Sequence, residues 1–531
     1  MRKPALFLLV TGFMPAVAQL VSFPGALGFG AAASGGRAKP VYHVTNLNDG
    51  GPGSFRDAVS SSNRTVVFDV GGYINLASAV SVKSNLTIAG QTAPGGGIGI
   101  AGYELSFANQ SNIICRFLRI RPGSASPRTN NCLSFYRARN IIVDHASLEY
   151  AKWNNIDAVG DSKHMSSEIT VQASIIANPI GQQFGAHTEC VGGDFSWFNN
   201  VFANGHNRQP LAKDNTIFIN NTLYNFSAGY TTHTATPFKH DVINNCFICG
   251  PASGSGGNAW FQIDANQSMY FPGNLLVAGK DGTLAGTATT PYPGYQGSGK
   301  VMAAPWSAIT TALLPSLFTP ANAVVYNNCN AGALPRDEVD ALVISQVMTL
   351  GNGPIGYGAG SAGPGSGLYT SQAQTGLSNH GFGTIAGGTA LVDSDQDGMP
   401  DDWEAAKGLA ADNAADGRAT SATGYTNLED YLNWLALPHA FVATNTVAAP
   451  SFIDIDLTRY AAGFPPGATF TVSSVTMGVA TQSGNGGHLV HFMPAPDATG
   501  LGGFAFAVTN GSYTLRSTCS VLVSPAALIG G

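Results

Sequence analysis

The chain has 531 residues, 11% of them charged, with a formal net charge of −6. So little charge excludes a coiled coil, a charged disordered chain and a helix-rich bundle, and 66 glycines point to a β-rich fold with many tight turns. The balance leaves no footprint for nucleic acid, and the length admits two or three domains.

Residues 1–18 read as a secretory signal: Arg2 and Lys3, an apolar run from Ala5 to Val10, then Ala16-Val17-Ala18 as a cleavage site. The mature protein is expected to begin near Gln19 and to be secreted. No later stretch reaches about 18 consecutive apolar residues, so no membrane span is expected. Seven scattered cysteines leave at least one unpaired. Cys246-Phe-Ile-Cys249 lacks a second ligand pair for zinc and reads as buried small apolar residues.

A first domain spans 19–385. Between about Tyr42 and Val277 short apolar strands recur, opening at Asn85, Asn112, Asn140, Glu168, Asp194, Asn215 and His240. Their spacings of 27, 28, 28, 26, 21 and 25 residues, with β-branched strands and no 3.6-residue period, are the mark of a β-solenoid. Asn199-Asn200, Asn220-Asn221 and Asn244-Asn245 follow strands in consecutive repeats, where stacked amides can hydrogen-bond along the axis. The fold expected is all-β: a right-handed parallel β-helix, each coil buried against its neighbours. A helix is predicted after Pro335, with Val339, Leu342, Val343 and Val347 on one face, followed by a glycine-rich surface loop over 351–367.

A second unit, 386–438, carries Asp393, Asp395, Asp397, Asp401 and Glu404 at positions 1, 3, 5, 9 and 12 of a loop with Gly398 at position 6. That is the calcium-loop spacing of an EF-hand. Thr426 and Glu429 cap a helix through Tyr431 and Trp434. In the last unit, 439–531, Phe504, Phe506 and Val508 alternate with alanines as in a half-buried strand, and several such runs predict a small β-sandwich.

Three segments, Phe23 to Gly30, Val41 to Asp49 and Gly53 to Val59, resemble the opening of secreted pectate lyases of polysaccharide lyase family 1. Thr87 to Gly95, Val143-Asp-His-Ala-Ser147 and Leu334 to Asp340 continue the resemblance in order, so it covers roughly 23–347. The last unit resembles bacterial immunoglobulin- or cadherin-like modules. The resemblance implies calcium-assisted β-elimination on an anionic plant cell-wall polysaccharide by a monomer, with an arginine as base in an R-x-P-x-x-(R/K) motif. Here the motif is Arg208-Gln-Pro210-Leu-Ala-Lys213. Arg208 is then the base, and Lys213 helps hold the substrate carboxylate. An arginine base needs help, because its pKa lies above about 12; neighbouring cations and alkaline pH supply it.

Asn131, Asp157 and Arg208 are 26 and 51 residues apart, about one and then two coils, which sets them on one side of the cylinder. The sequence departs from the family at two places: Asn131 and Trp153 stand where acids hold calcium, and only Asp157 keeps its carboxylate. Either the substrate is methyl-esterified pectin, with Trp153 stacking on a sugar, or substrate carboxylates complete the calcium site. His187 and His206 flank the same cleft; His187 is placed among the substrate-binding candidates, although turn histidines are commonly just solvated. Between Cys115 and Lys213 ten basic residues face seven acidic ones, a local excess that suits an anionic polymer. The competing readings are a glycoside hydrolase, for which no clustered acid pair is found in the coils, and a non-catalytic surface binder.

Overall fold

The computed structural model describes residues 20–160, 166–254, 257–291, 301–352, 366–440, 445–460, 464, 467–511 and 513–524. The signal segment and most of the 351–367 loop lie outside these residues.

From Val41 to Val277 the chain winds into a parallel β-solenoid, as expected. One sheet of ten strands runs from Gly72–Asn75 to Leu275–Val277 in parallel and is closed by Thr287–Ala288 running antiparallel. A sheet of sixteen strands covers the rest of the cylinder. Its two halves are joined because the long strands Phe184–Phe198 and Leu211–Ile219 pair in both of them.

Leu86, Ile113, Ile141, Ile169, Phe195 and Thr216 are successive partners, so the structural steps are 27, 28, 28, 26 and 21 residues. The next step is 24, one short of expectation, because His240 pairs with Thr216 and not with Asn215. Alternation sends one row of each strand inward. The interior fills with aliphatics and with rings in contact: Phe107 stacked on Phe135 at 5.3 Å, then Trp197, Phe202, Phe218 and Tyr230 in a tilted to edge-on run of 5.8, 5.7 and 5.3 Å.

The asparagine pairs divide the work of the turn. Asn199, Asn220 and Asn244 have φ of 56, 55 and 52°, the left-handed conformation that asparagine tolerates better than bulkier residues. The second members form the ladder. Asn200 Nδ2 donates to Asn221 Oδ1 at 2.9 Å, Asn221 to Asn245 at 3.1 Å, and Asn245 to Asn274 at 2.9 Å. A further ladder, Asn225 to Asn204 to Asn178, was not foreseen; both bonds are 2.8 Å.

Beyond the coils, Glu338–Met348 is the predicted helix, capped by Asp337, with Val339, Val343 and Val347 buried. Two helices precede it that the apolar pattern did not show, Ala308–Leu313 and Pro320–Asn330. The second is rich in asparagine yet mostly buried, because Asn327 Nδ2 bonds Asn220 O at 2.8 Å and Thr222 Oγ1 at 3.0 Å on the solenoid turns. Asn427–Ala440 is the helix capped reciprocally by Thr426 and Glu429.

The last strands form a four-stranded and a three-stranded sheet sharing one core, in which Phe504, Phe506 and Val508 are buried and the intervening alanines are not. All six described cysteines, Cys246 and Cys249 included, are buried free thiols. No single described helix is long and apolar enough to cross a membrane.

Candidate active site

Three strand segments lie side by side: Asn154–Val159, then 184–189, then 211–213. Asp157 pairs with His187 and His187 with Leu211, while Glu189 pairs with Lys213. Ile156, Ala158, Ala186, Thr188 and Ala212 fill the interior. By alternation Asp157, His187, Glu189 and Lys213 stand on the outer face.

Arg208 enters this face from the turn before the third segment, with φ 60°. Its side chain reaches back across two coils, so that Nη1 donates to Asn154 Oδ1 at 3.2 Å, and Asn154 Nδ2 in turn donates to Asp157 Oδ1 at 2.7 Å. The guanidinium carbon lies 4.0 Å from the Phe184 ring centre and 5.8 Å from that of Trp153. Among the described residues Arg208 makes no ion pair. Burial lowers its pKa, against the opposing pull of the Asp157 and Glu189 charges.

The expected residues therefore meet, with their partners changed. Lys213 Nζ is paired with Glu189 Oε2 at 3.2 Å. His187 is not a solvated turn histidine: Nδ1 lies 3.5 Å from Asp157 Oδ1 and Nε2 lies 3.0 Å from Glu189 Oε2. The two flanking carboxylates outweigh its burial and raise its pKa. Glu189 is held down to about 2, chiefly by the neighbouring His187 and then by the bond from Lys213. His206 has only burial acting on it, which lowers its pKa. Trp153 packs edge-on against Phe184, the rings 6.3 Å apart.

Asn131 is occupied on both ends of its amide: Nδ2 donates to Glu104 Oε2 at 3.3 Å, and Oδ1 accepts from Asn154 N at 3.2 Å. Glu104 is thus a second carboxylate near Asp157 that the sequence reading missed. It stands alone before Leu105, and only the coil register (Leu105, Leu133, Ile156) brings it level with the site. Burial, and more weakly the Asp157 charge, raise its pKa.

Part of the local basic excess does not reach the cleft. Arg116 is buried against Asp144 at 2.8 Å, which explains the Val-Asp-His motif as structural. Arg119 and Arg121 are buried against Asp340, Asp337 and Glu149, with Arg119 Nε 3.3 Å from Asp340 and Arg121 Nη2 2.9 Å from it. Apart from Glu149 on a coil strand, the charges that balance them come from Asp337 and Asp340 at the start of the helix after Pro335, far along the chain.

In the acidic loop, Asp393, Asp395 and Asp397 bring oxygens within 4.8 Å of one another, and Asp397, Glu404 and Asp416 do the same. Gly398 takes φ 92° at the sharp turn. Asp401 is the exception: both its oxygens accept from Ser394, at 2.8 Å each, and Asp416 joins the cluster instead. Glu404 is fully buried and neither of its oxygens has a hydrogen-bond partner among the described residues; the same holds for one oxygen each of Asp395, Asp397 and Asp416. Burial and the neighbouring acids push Glu404 up to about 8, and burial carries Asp397 to about 6. A divalent cation suits this donor set, since it would supply the charge these oxygens lack.

No family model matches the chain. A protein of Aspergillus fumigatus named "Probable pectate lyase C" is 37% identical over 431 residues, which is 80% of this chain and 96% of that one. The chain belongs to the pectate lyase family. A Neosartorya fischeri protein of the same name is 36% identical over 431 residues, with the same coverage. Among solved structures, that of a thermostable pectate lyase, PL 47, aligns with 58% of this chain and 96% of its own at 14% identity and a TM-score of 0.42. As a member of the pectate lyase family the chain is an enzyme, which sets the lyase above the hydrolase and above the non-catalytic binder.

Proposed function

We propose that this pectate lyase cleaves de-esterified polygalacturonate by β-elimination, with Arg208 as the base. Neutral Arg208 takes the C5 proton, the C5–H electrons form the C4–C5 double bond, and the C4–O4 bond breaks, O4 taking a proton from water while the guanidinium later returns its own to solvent. The observation that carries this is the guanidinium: half-buried, on the outer face beside Asp157, and held by an amide where a carboxylate would keep it charged. Because the neutral form is the active one, the rate rises with pH in the alkaline range.

Asp157 and Glu104 are the residues to hold a calcium ion in the cleft, whose chemistry is to neutralise the sugar carboxylate and so acidify C5–H. Lys213 and His187 then meet the uronate chain, and Trp153 offers a ring to a sugar face. Asn131 spends its oxygen on Asn154 N, which favours as second reading a methyl-esterified pectin that needs less cation. In the loop, Asp393, Asp395, Asp397 and Glu404, joined by Asp416, are assigned to a structural calcium ion.

The reading extends to a secreted monomer acting on plant cell-wall polysaccharide, with units 19–385, 386–438 and an immunoglobulin- or cadherin-like 439–531. The test is absorbance of unsaturated products from de-esterified and methylated pectins, with and without chelator. Turnover of polygalacturonate that chelator abolishes is expected; chelator-resistant turnover of methylated pectin alone overturns the first reading for the second.

A further inference from the structure

Asn154 is the one hydrogen-bonding side chain that touches the Arg208 guanidinium among the described residues. It is fully buried, and its orientation admits no flip. The Asp157 carboxylate only accepts and must face Nδ2; the guanidinium only donates and must face Oδ1. Its backbone N–H is tied to Asn131 Oδ1 at 3.2 Å, and its strand partner is Phe184, the ring over which Arg208 lies. An amide held on all these sides has one position.

We propose that Asn154 is a positioning residue for the reaction, a neutral amide that aims Arg208 while standing between its guanidinium and the Asp157 carboxylate. The proposal rests on the reading of Arg208 as base. A base must lose its proton, and an ion pair opposes that loss. The groups facing Arg208 are the acids Asp157 and Glu189, with His187 between them, Lys213 beyond Glu189, and the Phe184 and Trp153 rings. Both acids favour the charged form, and burial opposes them. With an amide as the contact atom, the nearest acceptor adds no charge to the acids' side.

The test uses the full chain with Asn154→Ser and Asn154→Asp, beside wild type and Arg208→Lys. Unsaturated product from polygalacturonate is followed from about pH 7 to 11, with a thermal melt of each protein. The serine hydroxyl stands where the amide carbon was and falls short of Arg208, so kcat should drop by about tenfold or more with KM within about twofold. The aspartate is isosteric and keeps the test available if the serine variant does not fold. It exchanges the Nδ2 bond to Asp157 for a second carboxylate, so at alkaline pH Arg208 faces an added negative charge and the rise of kcat should move up by about one pH unit or more. Folded variants with wild-type kcat and pH profile overturn the proposal. So does an equal loss of kcat at every pH accompanied by a lowered melting temperature, which marks a merely structural role. If Arg208→Lys retains turnover, the base reading itself fails; if it is inert while the Asn154 variants behave as wild type, only this proposal falls.

Discussion

Arg121 and Arg208 sit on the same solenoid and differ in nearly everything that decides what an arginine does. Arg121 is fully buried among Glu149, Asp337 and Asp340, and their charges raise its pKa despite the cost of burial. Arg208 is half-buried, touches an amide and two rings, and has its pKa lowered. The lesson is that burial acts against the charge on both, and the partner decides the outcome. Carboxylates turn an arginine into a rivet between solenoid and helix; an amide leaves it able to give up its proton.

The strongest way to break the comparison is Arg208→Lys, expected to cut formation of unsaturated product by about a thousandfold, within the range for a lost general base, while polymer binding persists. Stopped turnover with bound polygalacturonate retained in a pull-down is the supporting result. Arg121→Met should do the reverse. Removing one partner of a buried ion network costs about 3–5 kcal/mol, read in denaturant melts, and the protein that remains folded should keep the wild-type pH–rate profile.

The acidic loop extends the comparison to carboxylates with no lysine or arginine paired to them among the described residues, where only Asp393 has a basic neighbour, His43 Nε2 at 3.7 Å. Chelator should lower the melting temperature of the wild type, by an amount equivalent to about 2–4 kcal/mol at saturating calcium, and should leave Glu404→Gln unmoved. Asp401→Asn should respond to chelator like the wild type, because its oxygens already serve Ser394; an Asp401→Asn protein indifferent to chelator would return that residue to the ligand set.

The smallest effect belongs to Glu189, whose folded pKa is depressed to about 2 by His187 and Lys213. A depressed acid contributes stability that is present above its unfolded pKa, about 4.3, and lost as pH falls toward 2. With 47% of the side chain exposed, solvent screening limits this to at most about 1 kcal/mol. Glu189→Gln should flatten the melting-temperature slope over that interval, and a slope as steep as the wild type's would assign the acid sensitivity elsewhere.

What could be read before any coordinates were known is what repeats or is local. The coil steps followed from the spacing of β-branched strands, because a solenoid stacks each strand on the one a period away and keeps every side chain's phase. The helix after Pro335 and the alternating strand at Phe504 were legible for the same reason: each is fixed by its own residues, a cap or a period. Even the asparagine pairs announced themselves, since turn conformation and ladder both favour that side chain. What the chain's order concealed is pairing across distance. Glu104 joins the cleft from another coil, Asp416 displaces Asp401 from the acidic cluster, and Asp337 and Asp340 absorb arginines that counted toward a basic cleft. Charge added along a sequence carries no direction in space, and a carboxylate can neutralise whichever cation the packing brings within a few ångströms.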